Sequence, residues 1–153
     1  ALLARLLQEP FFHQPPPRST GRELFHLAWL SDHLTGDEAP RDVQATLAEL
    51  TAVSVAQGVT QLPLSQPSAT LLVGGGGAHN AYLMERLAAH LPKVTLLSPA
   101  TLGWPEDWIE AGAFAWLAHQ RLHGLPGNLP SVTGASGPRV LGGIYAPSGE
   151  GRQ

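Results

Sequence analysis

The stretch Leu71-Leu72-Val73-Gly74-Gly75-Gly76-Gly77-Ala78-His79-Asn80 decides the fold, because it joins an apolar strand to a helix through a turn stripped of side chains. Glycine has no β-carbon, so this backbone can take positive φ and a ligand can come within contact distance of the main chain. Leu83, Met84, Leu87, Ala88 and Leu91 recur at helical spacing, which predicts a helix from about Asn80 with its positive end toward the turn. Phosphate or ribose suits that location. No Lys-Ser or Lys-Thr follows the glycines, which excludes a P-loop, and the G-x-G-x-x-G fingerprint fails at His79 and Asn80. Such a turn can also serve only to pack a helix tightly onto a sheet.

Working outward, Ala69 to Val73 and Lys93 to Leu97 read as two short strands around that helix, a β-α-β unit that favours parallel pairing. Trp104-Pro105-Glu106-Asp107 opens a further helix reaching about His123, with Pro in the first turn and two acids against the helix dipole. Leu125 to Ser131, rich in Pro and Gly, predicts an ordered loop, and Arg139 to Tyr145 a last strand. Upstream, Thr20-Gly21-Arg22-Glu23 fits a capping box, predicting a helix over Gly21 to His33. A second helix is expected from Arg41 to Gln57 with Gly58 as its left-handed cap, then a loop over Gln61 to Ser68. Pro15 to Pro17 form a stiff linker. The apolar opening Ala1 to Leu7 has no capping residue ahead of it and no initiator Met, which predicts a longer parent chain.

The 153 residues suffice for one core, since a chain of this size buries about 68 to 70 per cent of its unfolded surface. Charged residues are 14% of the chain, the net charge is −3, and the nine basic residues are scattered, which argues against nucleic acid. No apolar run suits a membrane span and no leader is evident. The absence of cysteine excludes disulfides and thiolate metal sites and fits a reducing cytoplasm. His119 and His123 have the i, i+4 spacing of metal ligands, but no Glu follows His119 and both suit a helix C-terminus, so no metal site is expected.

Several segments converge beyond the glycine turn: Pro16-Pro17-Arg18-Ser19-Thr20-Gly21-Arg22-Glu23-Leu24-Phe25, Asp42-Val43-Gln44-Ala45-Thr46-Leu47, Glu110-Ala111 with Ala113 to Ala118, and Gly124-Leu125-Pro126-Gly127-Asn128-Leu129-Pro130-Ser131-Val132-Thr133-Gly134-Ala135. Together with the glycines, which resemble the adenosine motif of the actin, hexokinase and heat-shock chaperone ATPases, they closely resemble the C-terminal part of the anhydro-N-acetylmuramic acid kinases. The resemblance covers essentially the whole chain. It implies an α/β fold, the C-terminal lobe of an actin-like (ribonuclease H-like) ATPase, with a short sheet flanked by about four helices. Residues 1–153 would form a single partial domain: a lead-in and linker over 1–20, the nucleotide-binding lobe over 21–147, and a tail over 148–153.

The implied activity is ATP-dependent phosphorylation of 1,6-anhydro-N-acetylmuramic acid at O6 with hydrolytic opening of the anhydro bridge, in bacterial peptidoglycan recycling. The implied cofactors are ATP and Mg2+, the partners small molecules and a second copy in a homodimer, and the location the bacterial cytoplasm. The family's catalytic base precedes the region covered, so no residue here takes that role. Gly75, Gly76 and Gly77 would let nucleotide lie on bare backbone, while Asn80 either caps the helix or bonds ribose. His79 is a nucleotide contact or a plain turn residue. Glu110 can accept hydrogen bonds from sugar hydroxyls or the attacking water, or can compensate the dipole. Arg18 and Arg22 flank Ser19-Thr20 as a potential phosphate fork. Trp29, Trp104, Trp108 and Trp116 are expected in the core or a lobe interface. The chain departs from the family at Gly74, often Cys, and at Ala100, often Asp. The competing reading is a non-catalytic module in which the glycines only pack.

Overall fold

The computed structural model describes residues 1–62 and 69–145, so most of the expected 61–68 loop and the whole 148–153 tail lie outside the described residues. Among the described residues there are six α-helices and a two-stranded parallel sheet. This is an α/β chain, with more helix and less sheet than expected.

Helix α1 (Leu2–Leu6) has only five residues, too short to persist without tertiary contacts. Packing holds it: Leu2 and Leu6 join Val43 and Leu50 of α3 (Pro40–Thr60) in a buried cluster flanked by Leu47, Trp29 and Leu30. The opening leucines therefore sit in the core. Phe11, edge-on, and Phe12, tilted, of a 3-10 turn (Pro10–His13) pack against Phe25, whose ring meets Trp29 edge-on at 5.0 Å. Trp29 donates from Nε1 to Glu9 at 3.0 Å, satisfying its one polar atom. Arg5 pairs with Glu38 and donates from Nε to the His33 carbonyl at 2.8 Å. Burial pushes the Glu38 carboxyl up, yet hydrogen bonds from Thr35 and Arg5 outweigh it and hold the group down at about 2.

Helix α2 spans Leu27–His33, six residues later than the capping box implied. Its cap is His26, whose Nδ1 accepts from the Trp29 N–H at 3.1 Å. Upstream, the Leu24 and Phe25 amides bond to the Gly21 carbonyl as a turn, which consumes the first turn the expected helix would have used. Helix α3 outruns its expected end at Gln57: Gly58 continues it without positive φ, and the helix closes at Gln61 in right-handed geometry. Gly58 is therefore not a left-handed cap.

Strands β1 (Ala69–Leu72) and β2 (Val94–Leu97) pair in parallel with Ala69 opposite Val94 and Leu72 opposite Leu97. Helix α4 (Ala81–His90) makes the crossover and packs on α3, and Leu87 and Leu91 are buried at its end. After β2 the chain makes a 3-10 turn (Pro99–Leu102) capped by Ser98, a left-handed Gly103 and a second 3-10 turn (Glu106–Trp108). Only then does α5 (Ile109–Leu122) begin, five residues past the expected Trp104. The expected Pro/Gly loop closes in a one-turn helix, α6 (Pro130–Thr133).

The expected strand over Arg139 to Tyr145 does not form. Asn128 captures its start instead, accepting from the Arg139 N–H at 2.6 Å and donating to the Gly137 carbonyl at 3.0 Å. Gly142, at φ +85°, then turns the backbone out of strand geometry. Trp29 is packed in the core as expected, whereas Trp104, Trp108 and Trp116 are more than half exposed. No described helix is long and apolar enough to cross a membrane.

Candidate functional site

The four glycines divide two tasks between them. A β-carbon on Gly74 would lie 3.2 Å from Cγ of Pro99 and 3.4 Å from Cγ1 of Ile109, so that residue is where the strand end packs closely. The β-carbon positions of Gly75 and Gly76 have no atom within 4 Å. Bare backbone there faces open space, which helix packing does not require. Gly75 takes φ +70° and ψ −172°, a conformation that disfavours any side chain, and leads into a 3-10 turn over Gly76–His79. Gly77 is in ordinary contact distance of Leu83, 3.6 Å from its Cδ2.

Asn80 ends the turn as the N-cap of α4, its Oδ1 accepting from the Leu83 N–H at 3.1 Å. The cap uses the carbonyl oxygen, leaving the amide NH2 as a donor beside the turn. His79 lies with Nε2 3.5 Å from Oδ1 of Asp107, and both side chains are exposed. That contact bridges the glycine turn to the start of α5. Glu110 is exposed in the first turn of α5, one residue beyond Ile109. The structure thus brings Gly74, His79, Asp107 and the helix start bearing Glu110 to one corner.

Arg18 is tied to the amino-terminal segment. Its Nη1 donates to the Phe11 carbonyl at 2.7 Å and the Gln14 carbonyl at 3.0 Å, and its guanidinium lies over the Phe11 ring, 5.0 Å from the centroid. Arg22 is exposed in the turn ahead of α2. The imidazoles of His119 and His123 stack at 4.1 Å, and His123 Nδ1 lies 2.8 Å from the His119 carbonyl. Among the described residues no three His, Asp or Glu side chains converge on a metal position.

Sequence reasoning missed a charged cluster between α3 and α4. Glu49 receives Arg86 Nε at 2.6 Å and Nη2 at 3.1 Å, with His90 Nε2 2.8 Å away. The Arg86 hydrogen bond, then that of His90, holds the Glu49 carboxyl at about 2 against the opposing effect of burial. Glu49 in turn pushes the Arg86 guanidinium up. The only signal for it was the i, i+4 spacing of Arg86 and His90. Asp107 was read only as a dipole partner, because nothing local announces that His79 lies beside it.

An open glycine backbone between a parallel strand and a capped helix is a geometry that accepts phosphate or ribose. The sequence profile of a family described as anhydro-N-acetylmuramic acid kinase matches residues 1–147. The chain is 62% identical over 148 residues to the anhydro-N-acetylmuramic acid kinase of Chromohalobacter salexigens, covering 95% of this chain and 40% of that protein. Against the protein of the same name from Xylella fastidiosa the identity is 57% over 146 residues, covering 94% and 38%. With that of Photobacterium profundum it is 54% over 153 residues, covering 96% and 41%. The chain belongs to the anhydro-N-acetylmuramic acid kinase family. It spans about two-fifths of the length of these curated relatives.

Proposed function

We propose that this chain is the C-terminal, nucleotide-binding lobe of a two-lobed ATP-dependent kinase acting on 1,6-anhydro-N-acetylmuramic acid. The observation that carries the reading is the open space over the Gly75 and Gly76 backbone at the start of α4. An adenine nucleotide lies against that backbone, and the Asn80 amide donates to ribose while its carbonyl keeps the cap. The γ-phosphoryl passes from ATP to O6 of the sugar as the C1–O6 bond breaks; water adds at C1 and gives its proton to a base outside this chain. The products are ADP and N-acetylmuramate 6-phosphate.

Glu110, at the same corner, accepts hydrogen bonds from sugar hydroxyls or orients the water. Mg2+ would be held by the ATP phosphates and by carboxylates outside this chain, and would supply charge neutralisation for phosphoryl transfer. Nη1 of Arg18 is committed to two carbonyls, which leaves Nε and Nη2 to meet phosphate, whereas Arg22 stands exposed ahead of α2. The reading places the enzyme in the bacterial cytoplasm, in peptidoglycan recycling, as a homodimer with no nucleic-acid or membrane partner.

Steady-state kinetics on the protein carrying this chain test it. Gly75→Val should raise the KM for ATP by about tenfold or more, with the sugar KM little changed, and Glu110→Gln should do the reverse. Unchanged ATP affinity in Gly75→Val, or no saturable signal with a non-hydrolysable ATP analogue at millimolar concentration, would leave the glycines a packing device only.

A further inference from the structure

Glu49 stands within α3, and its carboxylate gathers the two basic groups that α4 turns toward it. Arg86 donates twice, at 2.6 Å and 3.1 Å, and His90 Nε2 lies 2.8 Å away. All three side chains are largely shielded, with 18% of Glu49, 31% of Arg86 and 32% of His90 exposed. The two helices pack on each other, and Leu87 and Leu91 at the end of α4 and Ala52 and Ala56 of α3 are buried. Alanine presents a low ridge, so such a seam resists separation of the helices far better than it resists sliding or rotation. A bidentate arginine fork on a fixed carboxylate supplies the missing directional constraint.

The same helix starts at Asn80, at the edge of the glycine turn. A helix of this length is a stiff rod of about 15 Å, so fixing its C-terminal half fixes the direction of its first amides. We infer that Glu49 is a positioning residue for the nucleotide turn: through Arg86 and His90 it sets the angle at which the start of α4 and the glycines meet a bound nucleoside phosphate. The inference rests on the proposed nucleotide site.

The test compares wild type, Glu49→Gln, Arg86→Met and Gly75→Val in the protein carrying this chain. It measures the dissociation constant of a non-hydrolysable ATP analogue, the KM for ATP and for sugar, kcat and Tm. Glu49→Gln and Arg86→Met should each weaken analogue binding and raise the ATP KM by about three- to tenfold, with kcat and sugar KM within about twofold. The charge exchange Glu49→Arg with Arg86→Glu should recover ATP affinity to within about threefold of wild type. If Glu49→Gln fails to fold, Arg86→Met alone decides. A lowered Tm with unchanged ATP affinity, while Gly75→Val does weaken ATP, overturns the positioning role and leaves the nucleotide site standing. Unchanged affinity in Gly75→Val as well removes the nucleotide site, and the inference with it.

Discussion

Gly74 and Ile109 meet so closely that a β-carbon on the glycine would lie 3.4 Å from Cγ1 of the isoleucine. The end of β1 is thereby seated against the start of α5, while the next two residues face open space. Stability and ligand affinity should therefore separate along the turn. Gly76→Ala should change the unfolding free energy by no more than about 0.5 kcal/mol yet raise the ATP KM several-fold. Gly75→Ala should cost about 1 kcal/mol or more because of its positive φ. Urea unfolding and ATP titration on the same preparations check both.

Asn80 provides a second separation. Asn80→Ala removes the acceptor for the Leu83 N–H and should cost about 1 kcal/mol. Asn80→Asp keeps that acceptor and should keep the Tm, but it loses the NH2 donor and adds negative charge beside the proposed nucleotide position. Its ATP affinity should fall more than that of Asn80→Ala, measured by calorimetric titration.

Glu49 makes the fold acid-sensitive in a defined window. Its carboxyl is held at about 2, against 4.5 for the free group, so the charged form is favoured by folding. That stabilisation is complete above pH 4.5 and is lost as pH falls toward 2. Glu49→Gln should be less stable than wild type by about 1–2 kcal/mol at pH 7, and the gap should shrink steadily below pH 4.5. Urea midpoints at three or four pH values would show it.

Leu6 has no exposed surface and, with Leu2, anchors a five-residue helix to α3. Leu6→Ala should cost about 2–5 kcal/mol, which denaturant unfolding would register.

What the sequence disclosed is what local pattern can carry. The β-α-β unit, the glycine turn and the start of α4 were legible because a short apolar run, a side-chain-free break and periodicity 3.6 follow one another directly. The Thr20–Glu23 box misled because an equally good cap, His26, lies six residues on and wins once Phe25 and Trp29 pack together. The Arg139–Tyr145 segment has strand composition, but Asn128 takes its first amide and no third ladder forms. Long-range polar partners leave no periodic trace: Glu49 is 37 residues from Arg86, and Asp107 gains its neighbour His79 only when β1 and β2 pair. Trp104, Trp108 and Trp116, expected in the core or a lobe interface, have exposed rings and so lie outside the core, and composition does not say which of these faces is covered.

The Val73 N–H, last before the glycines, bonds to the Leu97 carbonyl at 2.9 Å, across the whole crossover. On a ribosome the turn is therefore made long before it is anchored. Until residue 97 has emerged and docked, the glycines hang from a single unpaired strand, and the proposed nucleotide surface has no rigid support.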